Sequence, residues 1–250
     1  MNALKSHPFA VRAHFEQVVA VSFAFPSEVL RPMVSEGLEI DEYEGLGFVT
    51  VALVWLKGLR PSAFPKALGQ DYFFGGYRIF TRLRDENGRR LRGLQILRSE
   101  TDKARMVWSG NLLTNYHYRK VDVDISRSGN ETHLRTALPS GKETLDLTFD
   151  DSENAALPEG SPFPDWRTAR RFSGPMPFTF SRRKDGSFIV IEGMRESWTP
   201  RPVSVIDWSV GLFREPAFEG TRPVLANAFL VKDVDYRWDK GRIVRPGVTA

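Results

Sequence analysis

The chain has 250 residues, of which 41% are apolar and 26% charged, and a formal net charge of +4. This composition is that of a globular chain long enough to bury a substantial core, and no run approaches the roughly 18 consecutive apolar residues of a membrane span. There is no cysteine, which excludes disulfides, thiolate nucleophiles and thiolate zinc sites.

The first residues, MNALKSHPFAVRAHFE, lack the apolar centre of a secretory signal, so a cytoplasmic location is expected. Residues 15–25 (FEQVVAVSFAF) read as a long strand ended by Pro26, and Ser27 is expected to cap a short helix that Pro32 cuts short. Residues 48–56 (FVTVALVWL) are almost all apolar and predict a strand buried on both faces. After a loop rich in Pro, Ala and Gly, a hairpin is expected from Tyr77 to Arg84 and Leu91 to Glu100 around Asn87-Gly88. Asp102 is read as the cap of a short amphipathic segment through Leu112 and Leu113. That segment leads into Tyr116, His117, Tyr118, Arg119 and Lys120, and then into a strand alternating Val121, Val123, Ile125 with Asp122, Asp124, Ser126. Residues 133–138 and 144–149 predict a meander. Residues 150–177 predict an excursion with one helix near Trp166, acting as a lid or as a long connection. Residues 187–198, 203–213 and 229–238 supply the last β-like segments.

Many strands, few helices and short turns predict a mainly β, α+β fold: one domain over residues 1–250 with a large antiparallel sheet, curled or closed. The four histidines (His7, His14, His117, His133) show no helical ligand spacing, so no metal site is expected. The basic clusters at Arg89, Arg90 and Arg92, at Arg167, Arg170 and Arg171, and at Arg182, Arg183 and Lys184 adjoin turn residues without interleaved aromatics. They read as solvated rims rather than a nucleic-acid surface. No nucleophile elbow, phosphate loop or dinucleotide fingerprint is present, and no cofactor is implied.

The stretch FPSEVLRPMVSEGLEIDEYEGLGFVTVAL resembles the opening of acetoacetate decarboxylase-like proteins, and FFGGYRIFTRL resembles their next strand. LLTNYHYRKVDV, WTPRPVSVIDWSVGLF and VKDVDYRW are similar to the YqjF-like family, domain of unknown function 2071. The resemblance spans nearly the whole chain and implies an acetoacetate decarboxylase-like β-barrel or cone with a few short helices. In those decarboxylases a catalytic lysine is followed by a second, whose charge favours a neutral, nucleophilic amine. The corresponding stretch here is Tyr116-His117-Tyr118-Arg119-Lys120, in which Lys120 is the one amine. The family's first-strand arginine falls near Glu16 or Gln17, and its catalytic glutamate near Gln70 or Asp71.

Strand parity sets Arg119 with the apolar face and Lys120 beside Asp122 and Asp124, whose charges favour a protonated ammonium. An inward Arg119 near Tyr116 or Tyr118 suits bidentate capture of a carboxylate, and a structural ion pair accounts for it equally. Leu94, Ile96, Arg98 and Glu100 are expected on one face, so Arg98 and Glu100 either pair structurally or line a pocket with Tyr77. His117 is a candidate ligand contact. The expected function is binding of a small carboxylate or carbonyl compound, with Tyr77, Arg98, Tyr116, His117, Tyr118 and Arg119 as binding candidates and Glu100 and Lys120 as catalytic ones. The alternatives are a Schiff-base lyase using Lys120 and a non-catalytic interaction or dimerisation module. A homo-oligomer is compatible with either, and neither a nucleic-acid nor a membrane partner is expected.

Overall fold

The computed structural model describes residues 3–152, 155–174 and 176–247. The expected excursion over residues 150–177 therefore lies outside the described residues at Glu153, Asn154 and Pro175, as do both chain ends of the expected 1–250 domain. Among the described residues fifteen strands run in the order β1 (Val11–Pro26), β2 (Glu39–Ile40), β3 (Leu46–Pro61), β4 (Gln70–Arg84) and β5 (Arg90–Thr101), then β6 (Tyr118–Lys120), β7 (Asp122–Ser128), β8 (Glu131–Ala137) and β9 (Glu143–Asp150). They continue as β10 (Phe178–Arg182), β11 (Phe188–Arg195), β12 (Arg201–Pro202), β13 (Ser204–Val210), β14 (Val224–Trp238) and β15 (Arg242–Val244). Three short α-helices accompany them, α1 (Ser27–Leu30), α2 (Ala104–Leu113) and α3 (Trp166–Phe172). No helix among the described residues is long and apolar enough to cross a membrane.

The large sheet follows the order β14-β1-β3-β4-β5-β10-β11, and β11 pairs again with β14, so the hydrogen-bonded path returns on itself. The expected purely antiparallel sheet is instead mixed, because β5 runs parallel to both β10 and β6. These two short strands share one edge of β5, β10 at Gly93–Gln95 and β6 at Ser99–Thr101. A second sheet, β13-β9-β8-β7, packs against the outside. The chain passes from one sheet to the other at Val121, between β6 and β7.

Alternation along β1 and β3 explains both the packing and the hollow. Outward positions carry large groups: Val19, Val21, Phe23 and Phe25 on β1, and Val49, Val51 and Leu53 on β3. They meet Leu134, Leu145, Leu147 and Phe149 of the second sheet in one core. Inward positions carry Val18, Ala20, Ser22 and Ala24 on β1, and Thr50, Ala52 and Val54 on β3. Residues this small leave the centre of the ring unfilled. One end is closed by aromatic packing of Phe163 and Phe172 against Phe48, which gives the excursion around α3 a plugging role. Two caps differ from expectation. Pro26 occupies the N-cap of α1, with Ser27 as its first helical residue. Lys103 precedes α2, and Asp102 instead accepts the backbone N–H of Phe73, tying the helix entrance to β4.

Phe149, 1% exposed between the sheets, tests this layering. Phe149→Ala should lose about 3–5 kcal/mol of unfolding free energy in a denaturant titration. Ile125→Ala, on the exposed β7, should stay within about 0.5 kcal/mol of the parent.

Candidate functional site

A cavity of about 150 Å³ occupies the ring, with Phe15, Ala20, Ala52, Phe74, Ile96 and Phe229 among its apolar walls. Its polar groups are few and placed together. Arg78 on β4 points inward, in phase with Phe74, Gly76 and Phe80. Gly76 makes this possible, since a Cβ there would lie 2.7 Å from Arg78 Nε and 2.8 Å from Nη2. The guanidinium is enclosed by protein, which pushes its pKa down, and the nearby oxygens of Tyr236, Tyr118 and Tyr116 offset part of that penalty. Its Nε has no hydrogen-bond partner. No Asp, Glu, Lys or His lines the cavity among the described residues, whereas Arg195 does.

The tyrosines surround this charge. Tyr116, between α2 and β6, and Tyr118, the first residue of β6, have ring centroids 6.2 Å apart. Burial drives both phenols well above their ordinary pKa, so they are neutral donors rather than bases. Tyr116 Oη is buried beside Thr179, and Trp198 Nε1 on the same cavity is buried without a hydrogen-bond partner. Tyr236 on β14 stacks on Phe15 at 4.6 Å. Gly193 on β11 admits its hydroxyl, because a Cβ there would collide with Tyr236 Oη. Arg195 lies over the Trp198 ring at 5.0 Å and beside Tyr236, and its burial lowers its pKa as well. The cavity thus presents two cations, several hydroxyls and no anion.

The residues singled out from the sequence separate into two groups. Tyr116 and Tyr118 line the cavity. Tyr77, Glu100 and Arg119 come together on the opposite face of the sheet, against β8 and β9. Glu100, 1% exposed, accepts from Arg119 Nε at 3.0 Å, Tyr77 Oη at 3.1 Å and Thr144 Oγ1 at 3.1 Å. Arg98 Nη2 reaches Glu215 at 2.5 Å. Lys120 pairs with Asp122 at 2.9 Å, outside the cavity. His117 is exposed, with a positive φ of 54°.

The expected common face of Leu94, Ile96, Arg98 and Glu100 is broken by a β-bulge. Opposite β4, Tyr77 pairs with Arg98 but Arg78 pairs with Ile96, leaving Leu97 as an extra residue. Leu94 and Ile96 therefore face the cavity, Arg98 and Glu100 face away, and Ser99 turns in. Arg78, Arg195, Trp198 and Tyr236 were not among the sequence-derived candidates. The available signal was Gly76 two residues before Arg78, a missing side chain on the arginine's own face of the strand.

The two arginines of this wall should answer mutation with opposite signs. Arg119→Met leaves the Glu100 carboxylate buried without its counter-charge and should cost about 3 kcal/mol. Arg78→Met removes an uncompensated buried cation and should raise stability by about 1–3 kcal/mol. Chemical denaturation of both variants without ligand checks the contrast.

The geometry has relatives among solved structures. Acetoacetate decarboxylase from Legionella pneumophila subsp. pneumophila str. Philadelphia 1 superposes with a TM-score of 0.63 at 11% identity, covering 96% of this chain and 88% of that one. The enduracididine biosynthesis enzyme MppR complexed with pyruvate gives 0.61 at 11% identity, covering 94% and 90%. An acetoacetate decarboxylase-like enzyme from Sphingomonas wittichii RW1 gives 0.60 at 13% identity, covering 97% and 95%. At these identities the likeness is one of fold. Comparison with curated proteins yields no match. The model of the DUF2071 family, described as an uncharacterized conserved protein, matches residues 12–234, and the chain belongs to that family.

Proposed function

We propose that the ring holds a small organic acid, with the ligand carboxylate on Arg78 and its remaining oxygens within reach of the tyrosine hydroxyls. The observation that carries this reading is the enclosed guanidinium with no carboxylate beside it among the described residues. An enclosed cation without a partner is costly, and a bound carboxylate supplies the missing charge through a planar, bidentate contact. Trp198 Nε1 is a second unsatisfied donor on the same cavity. The similar fold of MppR, captured with pyruvate, makes a keto acid a sensible first ligand. With no lysine on the cavity wall, the reading is one of binding and carbonyl polarisation, without an imine.

Thermal-shift measurements with acetate, butanoate and pyruvate test it. At a concentration about 100-fold above Kd, the best ligand should raise Tm by about 5–10 °C, and Arg78→Met should abolish the rise. Affinity should be level from about pH 6 to about pH 9. Over that range the acid is ionised and the arginine charged, and the phenols, raised by burial, keep their protons. No stabilisation by any of the three acids, or an unaltered response in Arg78→Met, would remove the proposal.

A further inference from the structure

The Arg78 cavity has a larger neighbour. A second hollow of about 390 Å³ lies between the start of the chain, the β3–β4 connection and α2, lined by Phe9, Leu59, Phe64, Leu68, Met106 and Leu113 among others. Four aromatic residues, Phe74, Tyr116, Tyr118 and Trp238, border both spaces. Two of them are tyrosines whose hydroxyls belong to the polar end of the inner cavity. The outer hollow is apolar along most of its wall, and it opens at a rim where Phe9, Phe64 and Leu68 are 39%, 52% and 56% exposed. Large apolar side chains left in water around a concave apolar space are characteristic of a surface awaiting an apolar ligand.

The two spaces differ in what they recognise. The inner one, about 150 Å³ with two guanidiniums, suits a charged head and little more. The outer one offers more than twice that volume, and most of its wall is hydrocarbon and aromatic. We infer that the ligand is an amphipathic carboxylic acid, its head on Arg78 and an apolar tail of several carbons passing between the shared aromatic rings into the outer hollow. This rests on the reading of Arg78 given above and narrows it from small acids in general to acids with a hydrophobic chain. The occupant is a single small molecule, because the outer hollow runs into the cavity wall at its base and ends at the apolar rim.

Isothermal titration of the full chain with acetate, butanoate, hexanoate and octanoate separates the two ideas. If each methylene beyond butanoate leaves water for the outer hollow, Kd should tighten about three-fold per carbon, or roughly 100-fold from butanoate to octanoate. Leu113→Trp, which fills the hollow, should erase the length dependence. Leu68→Asp, on the exposed rim where folding is not at stake, should weaken octanoate several-fold more than butanoate. Butanoate binding with no gain for octanoate would overturn the tail assignment and leave the Arg78 reading intact. If no acid of any length binds, both fall. Octanoate binding equally well to Arg78→Met would place the head elsewhere and overturn both.

Discussion

The enclosed guanidinium of Arg78 makes a demand that the rest of the ring is built to meet. A cation removed from water costs several kcal/mol unless an anion or a set of dipoles replaces its hydration. Here the protein supplies phenolic oxygens, and among the described residues no carboxylate lines that wall. The inward positions of β1 and β3 are kept small, so the space that remains belongs to the charge and to whatever completes it. The cost of keeping the cation is met by the dense apolar layer between the two sheets, where Phe23, Phe149 and Leu53 are almost wholly buried. The main core and the cavity thereby occupy opposite faces of the same strands.

That division also explains the Glu100 cluster. The carboxylate is held by Arg119, Tyr77 and Thr144 on the far side of the sheet, where its charge is satisfied internally. A buried ion pair and the Arg78 guanidinium therefore sit back to back across one layer of β-sheet. One is closed and structural, while the other faces the cavity.

Much of this fold was legible in the sequence because period-two alternation and turn chemistry are local signals. The long apolar strand of β3, the Asn87-Gly88 hairpin and the meander of β8 and β9 each carry their pattern in contiguous residues. Tyr116 and Tyr118 stood out by composition and do line the cavity. The remainder depended on information that no local window contains. Whether Arg78 or Tyr77 faces the interior depends on which face the second sheet covers, a long-range fact. Tyr236 and Arg195 come from strands far along the chain and reach the site only because β11 closes back on β14. The parity of Arg98 and Glu100 was misjudged because a bulge adds a residue without any glycine to announce it.

The extra residue at Leu97 has a consequence beyond geometry. In an unbroken strand, position 100 would stay in phase with Ile96 and carry its carboxylate into the chamber beside Arg78. Arg98 would turn inward with it, so the chamber would gain one charge of each sign and lose space beside Arg78. The one extra residue thus keeps two charged side chains out of the chamber and on the outer face of the sheet.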